Sequence, residues 1–214
     1  MNKAKNGKLI DGLISRYPEL EVCKSDIELA AEILLASFKN GKKLLICGNG
    51  GSSSDSDHIV GELMKSFSKK REISPEVKNS LINIDSDSGQ YLAEKLQGSL
   101  PAISLSAHSG LTSAVANDID ADLIFAQQVL GYAKKGDVLI GISTSGNSKN
   151  VVNAAITAKA MEMKVIALVG NKKGTLNNYC DVAIEVPSGI TPFIQEYHLP
   201  IYHVLCKIVE ENLF

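Results

Sequence analysis

Residues 137–153 read DVLIGISTSGNSKNVVN, and the reading of this stretch decides the architecture. Its first part, Asp137–Ser143, is apolar with little alternation, the pattern of a strand covered on both faces in a parallel sheet. A helical stretch follows over Ser148–Met163. The loop between them carries four hydroxyls, on Ser143, Thr144, Ser145 and Ser148, with no lysine among them. Open α/β sheets bind ligands beyond the carboxyl ends of their strands, and a helix start offers unpaired N–H groups to an anion. The loop therefore suits a phosphate monoester held by hydrogen bonds and the helix dipole. The plainer reading is a capped helix start with Ser145 or Asn147 as N-cap, but one cap explains one hydroxyl and not four.

Working outward, four more runs read as strands: Lys43–Cys47, Pro101–Ser106, Lys164–Val169 and Asp181–Val186. Helical patterns lie between them, for example over Ser54–Phe67. Strand and helix in repetition predict an α/β protein, a doubly wound five-stranded parallel sheet flanked by helices, in one domain over residues 1–214. Residues 1–40 form an N-terminal helical segment, with a helix over about 22–40 and a stop at Gly41. Residues 73–98 are polar and read as an insertion carrying one short helix. The stretch from Thr191 to Phe214 is too apolar for a lone surface helix, so it is expected to pack under the domain or against another subunit, kinked at Pro200.

Composition narrows the class. A net charge of −2 leaves no basic footprint for nucleic acid, and Lys69, Lys70 and Arg71, with Glu72 and Glu76 close behind, read as a solvated cluster. There is no apolar run near the roughly 20 residues that span a bilayer. The first residues are broken by Asp11, Arg16 and Pro18 and lack the apolar core of a signal peptide, so a cytoplasmic location is expected. Cys23, Cys47, Cys180 and Cys206 form no CxxC pair and read as buried free thiols.

A second glycine-rich turn, Gly48-Asn49-Gly50-Gly51-Ser52, follows the Lys43–Cys47 strand and precedes a helix. Ser53 stands where GxGxxG needs its last glycine, and GxxxxGK[ST] is not matched either, which counts against a dinucleotide or a nucleoside triphosphate. His58 and Glu62 stand four positions apart, so both project from one helix face, an arrangement also found on ordinary solvated helices. Gln195, His198 and His203 lie in the C-terminal helical stretch, and by spacing alone Gln195 and His198 are the neater pair. His108 reads as an ordinary loop histidine.

Taken together, GNGGS at 48–52, HxxxE at 58–62, AND at 116–118, GISTSGNS at 141–148 and IQExHxxxxH at 194–203 resemble the phosphoheptose isomerases of the SIS (sugar isomerase) family, over most of residues 40–214. The resemblance implies the SIS fold and a sugar-phosphate substrate, sedoheptulose 7-phosphate, undergoing aldose–ketose isomerisation. It implies that Ser143, Thr144, Ser145 and Ser148 grip the phosphate, that Asn49, Gly50, Gly51 and Ser52 form the first sugar-phosphate loop, and that Asn117 and Asp118 contact the sugar. It assigns zinc to His58, Glu62, Gln195 and His203, a donor set acceptable to that metal. Glu62 becomes the base and His203 its acid/base partner, with Glu62 and Gln195 also facing the substrate. The family's homotetramers pack N- and C-terminal helices across subunits, which fits the apolar character of both ends here. Two positions depart from the pattern: Ser66 stands where the family carries an arginine, and Pro192 where it carries an aspartate. The ending Gln195–Glu210 also resembles the DnaA initiator-associating protein of the same superfamily, a non-catalytic alternative, but that relative lacks the full histidine set and His203 is present here.

Overall fold

Five apolar runs become five strands in the structure, a computed structural model that describes residues 3–214. They are β1 (Leu44–Gly48), β2 (Ala102–Ser104), β3 (Val138–Ser143), β4 (Lys164–Val169) and β5 (Val182–Glu185). The sheet order is β2-β1-β3-β4-β5, and every neighbouring pair is parallel. One row of residues crosses it: Ser104, Ile46, Ile140, Ile166 and Val182. The chain winds from β1 to β2 in one direction and from β3 to β5 in the other. The order therefore reverses between β1 and β3, and a crevice opens at their carboxyl ends.

Alternate strand residues face alternate layers, as a two-residue period requires. Leu44, Ile46, Ile140 and Leu168 pack with α1 (Lys3–Arg16), α2 (Lys24–Lys39), α3 (Gly51–Met64) and α9 (Thr191–Leu213). Leu45, Cys47, Leu139 and Ala167 pack on the opposite face with α7 (Ile124–Tyr132) and α8 (Lys149–Ala160). Gly41, at φ +66°, follows α2 and turns the chain into β1, where the sequence placed a helix stop.

One expectation changes. Residues 73–98 hold two helices rather than one, α4 (Pro75–Ile84) and α5 (Ser86–Lys95). Each has its own N-cap: Ser74 accepts from the Val77 amide and Asp85 from the Ser88 amide, so Asp85 both ends one helix and starts the next. The C-terminal helix α9 carries Pro200 in its interior without a break. The ring costs the helix one N–H donor but lies buried with Ile201, Val204 and Leu205, so packing holds the helix across it. Among the described residues no helix is long and apolar enough to cross a membrane. All four cysteines are free; Cys23, Cys47 and Cys206 are buried, and burial pushes each of these thiols up to about 12.

At the opposite end of the sheet from the crevice, Asp137 fixes β1 beside β3. Its buried carboxylate accepts from the Lys43 amide at 3.0 Å and the Lys134 amide at 2.7 Å, and it pairs with the Lys43 ammonium. Replacing it with alanine strands two backbone donors and a cation. Asp137→Ala is expected to lower unfolding free energy by about 3 kcal/mol in equilibrium urea titration. A loss under about 1 kcal/mol would show that those donors find other partners.

Candidate active site

The crevice is walled by the β1–α3 and β3–α8 loops. Asn49 in the first and Asn150 in the first turn of α8 exchange side-chain amide bonds of 2.9 and 3.0 Å, so the loops are tied across the switch point. Asn150 carries no sequence signal of its own, being one more asparagine near a helix start. In the second loop the Ser143 and Ser148 hydroxyls meet at 3.0 Å. Asn147 anchors the loop from below, its Oδ1 accepting from the Thr175 amide and hydroxyl, each at 2.9 Å. Gly146, at φ +67°, lies flat against Gly174: a Cβ added to Gly174 would sit 2.5 Å from the Gly146 carbonyl. The N-cap is Ser148, rather than Ser145 or Asn147, and its side chain does not bond the first-turn amides. The helix start is thus left with donors for an anion.

Asn117 and Asp118 end α6 (Ser109–Asp118), exposed and bonded to each other at 2.8 Å. The chain beyond them returns to the crevice rim, where Asp122 lies 3.6 Å from Lys149 at the start of α8.

The proton-handling candidates come from α3 and α9. His58 Nε2 lies 3.3 Å from Glu62 Oε1 and 3.5 Å from His203 Nε2. The His203 ring stands edge-on to His58, with centroids 4.9 Å apart, and leans on Phe67. Burial and the neighbouring His58 hold His203 below the usual imidazole range, against the opposing pull of Glu62. Glu62 Oε2 is buried without a hydrogen-bond partner, and the Lys65 ammonium is 3.6 Å away. The Gln195 amide lies so close to Gly51 that a Cβ there would be 2.6 Å from Nε2, so this glycine makes room for it. Among the described residues no three His, Cys, Asp or Glu side chains are arranged to hold a metal ion, although His58, Glu62 and His203 approach one another in pairs. His198, the neater partner for Gln195 by spacing, is fully buried, and burial takes it down to about 4, a neutral core imidazole.

Arg71 was expected in solvent, yet it is 1% exposed. Its Nε donates to Glu210 Oε1 at 2.7 Å, Nη1 to the Leu63 carbonyl at 2.7 Å and Nη2 to the Glu62 carbonyl at 2.8 Å. Glu210 in turn accepts from the Phe67 and Ser68 amides and the Ser68 hydroxyl. One buried ion pair therefore joins the end of α3, which carries Glu62, to α9, which carries His203. Sequence alone hid this, because a basic triplet beside glutamates has the composition of a surface. Ser66 spends its hydroxyl on the Arg71 amide at 2.9 Å. The Arg71 guanidinium is engaged by protein groups and does not replace the arginine that Ser66 displaces.

This fold and crevice define a SIS-domain protein, and residues 14–99 and 90–170 match the SIS domain family. A phosphoheptose isomerase from a Nitratiruptor species is 42% identical over 192 residues, 90% of this chain and 89% of that protein. That of Clostridium acetobutylicum is 39% identical over 188 residues, 88% of this chain and 83% of its own. The solved phosphoheptose isomerase of Francisella tularensis superposes with a TM-score of 0.73 at 30% identity, covering 99% of each chain. The one from Neisseria gonorrhoeae gives the same TM-score at 29% identity, covering 99% of this chain and all of the other. The chain belongs to the phosphoheptose isomerase family.

The clamp also fixes an acid response. Burial by itself raises the Glu210 carboxyl, but the bonds from Ser68, Phe67 and Arg71 outweigh it and bring it from 4.5 down to about 2. A folded value below the unfolded one gives stability that is complete above about pH 4.5 and lost as pH falls towards 2. Glu210→Gln is expected to be less stable at pH 7 and to show a flatter loss of melting temperature over that acid range. An unchanged acid slope would remove Glu210 as its source.

Proposed function

We propose that the chain interconverts a ketose and an aldose phosphate, with sedoheptulose 7-phosphate as substrate, as the names of its relatives suggest. The observation that carries this is the meeting of Glu62 and His203, from helices far apart in sequence, each within 3.5 Å of His58 Nε2. In this reading the phosphate sits on Ser143, Thr144, Ser145 and Ser148 against the amides that open α8, where the helix dipole favours its charge. Asn49, Gly50, Gly51 and Ser52 close the other wall, and Asn117 and Asp118 meet the sugar hydroxyls. Glu62 removes the proton on the carbon beside the carbonyl while His203 protonates the carbonyl oxygen. The resulting enediol returns its other hydroxyl proton to His203 and takes the Glu62 proton at the former carbonyl carbon, which moves the carbonyl by one carbon. Negative charge that develops on the enediol oxygens needs positive charge or donors nearby.

Zinc is the cofactor assigned to His58, Glu62, Gln195 and His203. Two imidazoles, a carboxylate and an amide oxygen suit it, and Glu62 Oε2, buried without a hydrogen bond and 3.6 Å from the Lys65 ammonium, favours a cation at this spot. When bound it supplies an electrophile that polarises substrate oxygens. In deuterated buffer with zinc, the protein is expected to exchange the C1/C2 proton of sedoheptulose 7-phosphate, followed by NMR. Glu62→Gln should slow that exchange by about 100-fold or more. Absence of exchange across a panel of C5–C7 ketose and aldose phosphates would overturn the isomerase reading.

The working form in this reading is a cytoplasmic homotetramer. Leu29 on α2, and Phe193 and Leu199 on α9, are each more than 40% exposed, a set of apolar side chains on helices that neighbouring subunits would cover. Sedimentation velocity at micromolar concentration is expected to give the mass of four chains, and a stable monomer would refute it.

A further inference from the structure

Tyr202 packs against both histidines of the site but belongs to neither proposed role. It is 1% exposed, and its ring stands edge-on to both His58 and His203. The phenol oxygen is 2.9 Å from His58 Nδ1 and 3.3 Å from Asp55 Oδ1. A phenol has one proton and two neighbours here that could accept it. The contact to His58 is the shorter, so distance alone favours neither direction. Hydrogen-bond accounting does. Asp55 Oδ2 is buried with no hydrogen-bond partner, so a Tyr202 proton turned towards His58 would leave this carboxylate without the bond that Tyr202 gives it. The opposite arrangement would give Glu62 an Nε2–H instead, but Glu62 already has the Lys65 ammonium 3.6 Å away, whereas Asp55 accepts from Tyr202 alone, and a carboxylate is a stronger acceptor than a neutral imidazole. Tyr202 therefore donates to Asp55. Its oxygen then faces His58 Nδ1 with lone pairs, and the 2.9 Å contact becomes a hydrogen bond only if Nδ1 carries the proton.

We propose that Tyr202, oriented by Asp55, is a positioning residue that holds His58 in its Nδ1–H tautomer and turns a bare Nε2 towards Glu62 and His203. The tautomer has a consequence for the site. With Nε2 unprotonated, its lone pair confronts Glu62 Oε1 at 3.3 Å, while Glu62 Oε2 makes no hydrogen bond and has only the Lys65 ammonium at 3.6 Å. Electron pairs gathered in this way are relieved by a cation between them. In the opposite tautomer Nε2–H donates to Glu62, and the pair becomes a self-satisfied contact with less call for a metal. The Asp55–Tyr202 pair thus acts on the site without touching it, in the manner of the groups that hold the far nitrogen of a metal-bound imidazole. This inference rests on the metal reading above only for its consequence; the tautomer is a property of the metal-free protein.

The test uses the full chain, ¹⁵N-labelled at histidine and free of metal, with long-range ¹H–¹⁵N correlation of the His58 ring. The wild type is expected to show a protonated Nδ1 and an unprotonated Nε2. Tyr202→Phe keeps the ring packing and removes the hydroxyl; His58 is expected to shift to mixed tautomers, and zinc affinity, read by competition with a chromogenic chelator, to weaken by about 10-fold or more. Asp55→Asn, which leaves the core ring in place, should move the tautomer the same way. It serves as the decisive variant should Tyr202→Phe fail to fold. A wild-type His58 already protonated at Nε2, or a tautomer unchanged in the variants, overturns the proposal. If the tautomer behaves as expected but zinc binds neither wild type nor variant, the metal assignment fails and the positioning role of Tyr202 stands.

Discussion

The parallel pairing of β1 with β3, Leu44 with Val138 through Gly48 with Ile142, is the constraint on which everything at the site depends. Strands adjacent in space but separated by β2 and several helices in sequence bring two loops side by side that no local interaction would join. The Asn49–Asn150 exchange then secures the loops at one end of that pairing, and Asp137 secures the strands at the other. The crevice is a product of chain order. The residues lining it refine what topology has already opened.

The proposed acid–base pair has a second joint. Glu62 sits near the end of α3 and His203 within α9, and the two helices meet directly through His58, Tyr202 and His203. The Arg71–Glu210 pair joins them again, spending guanidinium N–H groups on α3 carbonyls and carboxylate lone pairs on the turn that follows. A buried ion pair is a poor source of net stability but a good source of register, because a partly formed network costs more than none. Here the register it sets is that between two imidazoles and a carboxylate.

Much of this could be read from the residues. The five strands announced themselves as apolar runs, because strands buried on both faces have no reason to alternate. The hydroxyl loop was legible because a single helix cap does not need four hydroxyls. The spacing of His58 and Glu62 was visible, but its meaning came from the likeness to a family, since the same pair decorates many solvated helices. What stayed hidden were contacts between distant segments. Arg71 looked like surface because its partner lies at the far end of the chain. Spacing alone made His198 the neater partner for Gln195, because helical spacing says which side chains share a face and not which face the core takes. Asp55 and Tyr202 showed nothing, as hydroxyls and carboxylates are common and only their meeting is informative. Asp85, cap and stop at once, divided a segment whose polarity had suggested a single helix.

The flat contact between Gly146 and Gly174 has a consequence for how such a protein can diversify. Backbone against backbone leaves nothing to enlarge or trim, so in the proposed reading the loop is a fixed datum for a bound phosphate. On that same reading a change in the sugar accepted is met more easily at Asn117 and Asp118, which stand in solvent with room for replacement. Engineering aimed at shorter or longer sugars should leave the glycine pair alone and vary that rim.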